Sequence, residues 1–160
     1  MNFPRFPLRI NIGFLINSPV GTNRDFEFEI PELRFHPDQV FTDFKGIARV
    51  SRTQQGLLVQ GEFDANITAE CVRCLANFVQ PLQTSFDELY AFDDRSVTES
   101  NLLLPADGYI DLGPIVREYL IIEIPIRPIC REDCLGLCPV CGEDWNLSTC
   151  EHRGEKSIQA

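Results

Sequence analysis

Residues 130–152 read CREDCLGLCPVCGEDWNLSTCEH and hold five of the chain's seven cysteines and one of its two histidines. So many soft ligands in 23 residues restrict the chemistry to disulfides, thiol redox or metal. Seven is odd, so a complete disulfide framework leaves one thiol over. A redox CxxC pair normally follows a strand and opens a helix inside a βαβ unit, and neither Cys71-Val-Arg-Cys74 nor Cys138-Pro-Val-Cys141 has that setting. Metal remains, and the count suits it: seven cysteines and His152 make eight ligands, enough for two tetrahedral zinc sites.

Spacing divides the eight. Cys138-Pro139-Val140-Cys141-Gly142 has the form of a zinc knuckle. Two thiolates two residues apart reach one ion, Pro139 fixes a torsion of the turn, and Gly142 permits a positive φ after the second ligand. Cys150-Glu-His152 follows after a short loop that costs little entropy to close. Cys138, Cys141, Cys150 and His152 therefore make a local site. Cys71 and Cys74 are left with Cys130 and Cys134, which face the same way if they share one helical turn. A metal held by those four clasps mid-chain to its end across 55 intervening residues. Two readings compete with this clasp. In one, Cys71 and Cys74 are small buried hydrophobes; in the other, a single metal takes its fourth ligand from Cys134. One or two structural zinc ions are thus expected.

The rest of the chain, 160 residues long, reads as a single domain with an appendage. Residues 8–16 and 26–35 have strand-like apolar residues. Residues 46–70 form a hairpin turning at Gln54-Gln55-Gly56, and 78–90 a further strand in which Pro81 favours an edge or a bulge. Cys71 and Cys74 then lie at the turn between two antiparallel strands. Residues 91–110 read as a polar, acidic loop. A helix begins at Asp111 as N-cap, with Pro114 in its first turn. Leu112, Ile115, Val116, Tyr119 and Leu120 face the core, and Pro125 ends it. The expected fold is α+β: mainly antiparallel sheet with one helix and a C-terminal zinc-knuckle appendage. Its parts are a core domain over 1–129, a cysteine-rich zinc-binding segment over 130–152 packed on it, and a flexible tail over 153–160.

Charge and missing motifs narrow the function. The net charge of −10 disfavours a broad phosphate-binding surface and favours a basic protein partner. No apolar run reaches the length of a membrane span. The N-terminal stretch is interrupted by Pro4, Arg5, Pro7 and Arg9 and lacks a small-residue cleavage site, so a cytoplasmic protein is expected. There is no GxxxxGK[ST], GxSxG, HExxH or GxGxxG, and the Pro-Val-Cys of residues 139–141 lacks the upstream HxE of a deaminase. His36 sits in a Phe-His-Pro-Asp loop of ordinary character. With every metal position filled by protein, no open site is left for substrate, and no enzyme is expected.

An ECVRCL segment, a DLGPIVREYLIIEIP helix and PICREDCLGLCPVCGEDWN with a closing Cys-x-His follow in that order. This order, over about residues 10–152, resembles the YceD family, the large-subunit ribosomal RNA accumulation proteins. The resemblance implies a ribosome-assembly role in accumulation of large-subunit (23S) ribosomal RNA, and it names no catalytic residue. The expected partners are pre-ribosomal large-subunit RNA, a basic ribosomal protein, or both, with no membrane and no small-molecule substrate. Two departures stand out. Cys150-x-His152 replaces the family's usual Cys-x-Cys, and Asp144-Trp145-Asn146 stands where Asn-Leu-Asn is common. Histidine is a competent zinc ligand. Trp145 either stacks on a base or partner or packs against the knuckle. Arg73, Arg127 and Arg131, beside the long-range cysteines, either form a small basic patch or are ordinary solvated arginines. A thiol- or zinc-based redox sensor or zinc donor is the alternative function.

Overall fold

A computed structural model describes residues 7–153. The elements in chain order are β1 (Arg9–Asn11), α1 (Gly13–Ile16), β2 (Asn23–His36), β3 (Gln39–Arg52), β4 (Gly56–Glu70), β5 (Asn77–Ala91), β6 (Tyr109–Asp111) and α2 (Gly113–Ile122). β2 to β5 form an antiparallel meander in the order β2-β3-β4-β5, and β1 pairs with β6 in a two-stranded ribbon. The fold is thus mainly antiparallel sheet with two helices among the described residues. Among them, no helix is long and apolar enough to cross a membrane. The expected loose tail, beyond Arg153, lies outside the described residues.

Contacts divide the chain into two compact units. The described residues up to Ile67 with Pro81–Glu123 form one; Thr68–Gln80 with the described residues from Ile124 form the other. In the first unit, alternation along β5 buries Leu82, Thr84, Phe86, Glu88 and Tyr90 on one face. β4 contributes Leu57, Val59, Phe63 and Ala65, and α2 contributes Ile115, Val116 and Leu120. An aromatic row ties these together: Phe44 stacks on Phe63 with centroids 5.1 Å apart, Phe63 on Phe86 at 6.0 Å, and Phe86 on Tyr119 at 4.9 Å. Each such pair contributes about 0.5–1.5 kcal/mol beyond the area it buries. The Tyr119 hydroxyl donates to the buried Glu88 carboxylate at 2.7 Å, and that bond is the main reason the phenol is held above its ordinary pKa.

Several expectations change. Residues 8–16 do not run as one strand. Asn11 Oδ1 accepts from the Gly13 N–H at 3.1 Å, turning the chain into the four-residue α1, which buries Leu15. Strand β3 begins at Gln39, seven residues before the expected hairpin, because β2 pairs with it right up to a tight turn at Pro37-Asp38. The N-cap of α2 is Leu112, one residue later than expected. Asp111 still serves the helix start, its carboxylate accepting the Gly113 N–H at 2.9 Å. Residue 109 opens β6 inside the stretch read as loop. Pro81 lies on β5, an outer strand of the sheet, where a missing N–H is tolerated.

Two glycines make room for the aromatic row. A Cβ on Gly61 would lie 2.7 Å from the rings of Phe63 and Phe86, and one on Gly46 would strike the Glu62 carbonyl and Phe63. Because the Gly46 clash is with backbone, no rotamer change relieves it. Gly46→Ala is expected to destabilise the fold by about 3 kcal/mol, the upper end of ordinary overpacking costs. A fall in the urea midpoint at unchanged slope measures it.

Candidate metal centres

The β4–β5 hairpin turns through Cys71-Val-Arg-Cys74, closed by the Cys71 N–H donating to Ala76 O at 2.9 Å. The turn between antiparallel strands was legible from the sequence. Across from it runs the segment after Ile124. The Val72 N–H donates to Pro128 O at 2.9 Å and the Leu137 N–H to Arg73 O at 3.1 Å. These bonds bring Cys71, Cys74, Cys130 and Cys134 together, with all four sulfurs within 4.8 Å of one another. Phe78, Ile129 and Leu137 pack around them. Cys130 and Cys134 do not lie on the one helical turn that their spacing would allow. Cys130 precedes, and Cys134 closes, a turn in which the Cys134 N–H donates to Arg131 O at 3.2 Å. Pro128, just upstream, disfavours helix in the residue before it.

Cys138, Cys141, Cys150 and His152 form a second group, again with ligand atoms within 4.8 Å. Both groups have the donor chemistry to hold a metal ion. All seven cysteines are free. The Cys71–Cys134 and Cys74–Cys130 sulfurs are 3.8 and 3.7 Å apart, much longer than the about 2.05 Å of a disulfide. A tetrahedron with zinc–sulfur bonds of about 2.3 Å has edges of about 3.8 Å. In the second group, Nδ1 of His152 is buried without a hydrogen-bond partner, the condition a bound ion would relieve.

The two CxxC turns share one backbone solution. The Leu75 N–H donates to Cys71 O and the Gly142 N–H to Cys138 O, both at 2.9 Å. The residue after each second cysteine has positive φ, +78° at Gly142 and +61° at Leu75. The sequence indicated this for Gly142; nothing in a leucine signals it.

Hydrogen bonds bias Cys71, Cys138 and Cys150 toward the thiolate, whereas Cys74, Cys130 and Cys141 are shifted the other way. Burial opposes the Cys71 thiolate, but backbone hydrogen bonds from Cys74, Cys130 and Arg73 outweigh it and bring the thiol down to about 6. Cys138 is lowered to about 7, chiefly by a backbone hydrogen bond from Cys141. Cys150 is lowered first by the Trp145 indole N–H, which donates to its sulfur at 3.3 Å. Burial and the neighbouring Cys134, Cys74 and Cys71 sulfurs push Cys130 up to about 12. Four thiols this close cannot all ionise without a cation.

Trp145 is half-buried against the knuckle. The Arg73 guanidinium donates to the Glu132 and Cys134 carbonyls at 3.3 and 3.1 Å. Arg131 donates to Asn146 Oδ1 at 2.8 Å and lies 3.3 Å from Asp133. Both arginines brace the cysteine loop, and Arg73, Arg127 and Arg131 are all exposed. Sequence reasoning noted Asn146 only as part of the Asp144-Trp145-Asn146 departure and gave it no role. Its amide donates to Cys134 Sγ at 3.4 Å, and its Oδ1 accepts the Leu135 N–H at 2.8 Å. The only hint was its place in the loop between Cys141 and Cys150.

The fold and these centres define a class: mainly antiparallel β proteins with two four-ligand Cys/His clusters, one of them closing on a hairpin turn. Within that class the chain belongs to the family of the large ribosomal RNA subunit accumulation protein YceD, which it matches over residues 59–159. Uncharacterized proteins of Mycobacterium bovis and Mycobacterium tuberculosis are 36% identical to it over 98 residues, 59% of this chain and 47% of theirs. The uncharacterized protein YlbN of Bacillus subtilis is 32% identical over 94 residues, 55% of each chain. The chain spans about half the length of the curated relatives it matches. No solved structure matches it.

The shared turn makes a paired prediction. A Cβ on Gly142 meets nothing within 4 Å, so Gly142→Ala carries only the left-handed strain. Its expected cost is about 1–2 kcal/mol. Leu75→Gly removes the same strain, offset in part by a more flexible unfolded chain, and is expected to stabilise by about 1 kcal/mol. Thermal melts of the two variants should shift in opposite directions.

Proposed function

We propose that the protein is a non-enzymatic, zinc-binding ribosome-assembly factor of the cytoplasm that supports accumulation of large-subunit ribosomal RNA. It acts by binding pre-ribosomal large-subunit RNA, a basic ribosomal protein, or both; it uses no membrane and no small-molecule substrate. The observation that carries the reading is the convergence of two four-ligand groups with sulfur separations of 3.7 and 3.8 Å in the first. Soft thiolate ligands with one imidazole favour zinc among the common divalent metals.

Cys71, Cys74, Cys130 and Cys134 hold one ion and Cys138, Cys141, Cys150 and His152 the other. Each set supplies four protein ligands, the arrangement of structural rather than catalytic zinc. In this reading residues 130–152 are the zinc-binding segment of a core spanning 1–129. The metal fixes the loop from which Arg73, Arg127, Arg131 and Trp145 meet the partner. All three arginines are exposed and can reach a partner; Arg73 and Arg131 also hold the loop in shape through their hydrogen bonds. The family description supports the ribosomal part of the reading.

A second reading, a thiol-based zinc sensor or donor, rests on the exposure of Cys141. Rapid zinc release by mild oxidant would favour it, whereas retention favours the assembly factor.

Elemental analysis of the purified chain is expected to give two zinc ions per molecule, and one in either Cys71→Ser or Cys138→Ser. Zinc-free wild-type protein would remove the metal argument. Depleting the protein from cells is expected to lower large-subunit ribosomal RNA relative to small-subunit RNA. Unchanged levels would remove the ribosomal role.

A further inference from the structure

Trp145 and Asn146 are neighbours in sequence, yet each donates a hydrogen bond to a sulfur of a different cluster. The indole Nε1–H reaches Cys150 Sγ at 3.3 Å, and the Asn146 amide reaches Cys134 Sγ at 3.4 Å. Neither donor is free to swing away. Asn146 Oδ1 accepts from the Leu135 N–H and the Arg131 guanidinium, both at 2.8 Å, and its amide also donates to Asp144 Oδ1 at 2.8 Å. The Trp145 backbone N–H donates to Gly136 O at 3.0 Å, two residues past Cys134. Leu137 and Asp144 form a β-bridge, and the Cys138 N–H donates to Glu143 O at 2.8 Å. A short hydrogen-bonded element therefore joins Cys134 of the first cluster to Cys150 of the second.

We infer that the Trp145-Asn146 pair couples the two clusters, so that a metal filling either one raises the affinity of the other. The inference rests on the metal-binding reading above. An ion in the first cluster would hold Cys134 Sγ in one place, and with it the Asn146 amide that donates to that sulfur. Filling the first cluster thus fixes the dipeptide. The indole N–H is then already aimed at Cys150, and the second cluster forms with less ordering to complete. By linkage the effect runs equally in the other direction. Trp145 and Asn146 act as positioning residues, outer partners of the kind that orient metal ligands.

Cobalt(II) titration of the metal-free, reduced full-length chain tests this, because an all-thiolate site and a mixed thiolate–imidazole site absorb differently. The readout is the cobalt affinity of the mixed site, the one containing His152, in wild type, Cys71→Ser, Asn146→Asp and the double variant. Asn146→Asp keeps the acceptor for Leu135 and Arg131 and removes the amide N–H bonds to Cys134 Sγ and to Asp144 Oδ1, adding a negative charge; Trp145→Phe cuts the link from the other side with no change of charge. Cys71→Ser alone is expected to weaken the mixed site on the order of tenfold, within the usual range of coupling between sites. Added to Asn146→Asp it should weaken the site no further, since the link is already cut. Trp145→Phe, which removes the indole donor from a ring of similar shape, repeats the test should Asn146→Asp fail to fold.

Overturning results are an unchanged affinity of the mixed site in Cys71→Ser, or a Cys71→Ser effect that persists in full in both link variants. If both cobalt spectra appear in wild type and the sites fill independently, the coupling falls and the metal reading stands. If neither spectrum appears, both fall.

Discussion

The constraint on which the cysteine-rich unit depends is the meeting of a hairpin turn with a loop 56 residues further along, Cys74 beside Cys130. Chain entropy opposes so distant a contact, and the opposition grows only slowly with loop length. The residues that meet offer little apolar area of their own. Among the described residues, Cys71, Cys74 and Cys134 are buried with Phe78, Ile129, Cys130 and Leu137 packed around them. Two backbone hydrogen bonds and the Arg73 guanidinium help hold the segments. Such bonds add only about 1 kcal/mol each. Four converging thiols could add a further fastening, were a cation to remove their mutual repulsion.

The other unit needs no such device. Its sheet buries an aromatic row reaching from Phe44 through Phe63 and Phe86 to Tyr119. Glycines at 46 and 61 leave the space that the rings occupy. The two units thus differ: area burial holds the first, while the cysteine-rich part buries little and gathers two four-ligand groups that could hold metal. Exposure of Val72, Leu75, Leu135, Val140 and Leu147 in the latter fits a unit with too little core to shelter its own apolar residues.

Much of this was legible in advance because local chemistry writes itself into local sequence. The CxxC spacing, Gly142 and the Cys-x-His ending mark the knuckle, and alternation marks β4 and β5. The turn at Cys71–Cys74 followed from the strands on either side of it. Illegible were features set by partners distant in sequence. The early start of β3 is dictated by its register with β2, which no window of residues 36–45 contains. The positive φ of Leu75 is imposed by the turn it closes and contradicts the residue's own preference. Asn146 looked like an incidental polar residue until its amide was seen against Cys134.

The sequence by itself determined the eight soft side chains and their spacing, a mainly antiparallel sheet, and the family to which the chain belongs. Those are properties of residue type and short-range order, which chain position alone carries. Only the tertiary structure decided that Cys130 and Cys134 lie at a turn rather than ride a helix, that Trp145 faces inward, and that neighbouring side chains address two different clusters. Each of those depends on where a hydrogen-bonding partner from another segment comes to rest, and that is fixed only once the whole chain has packed.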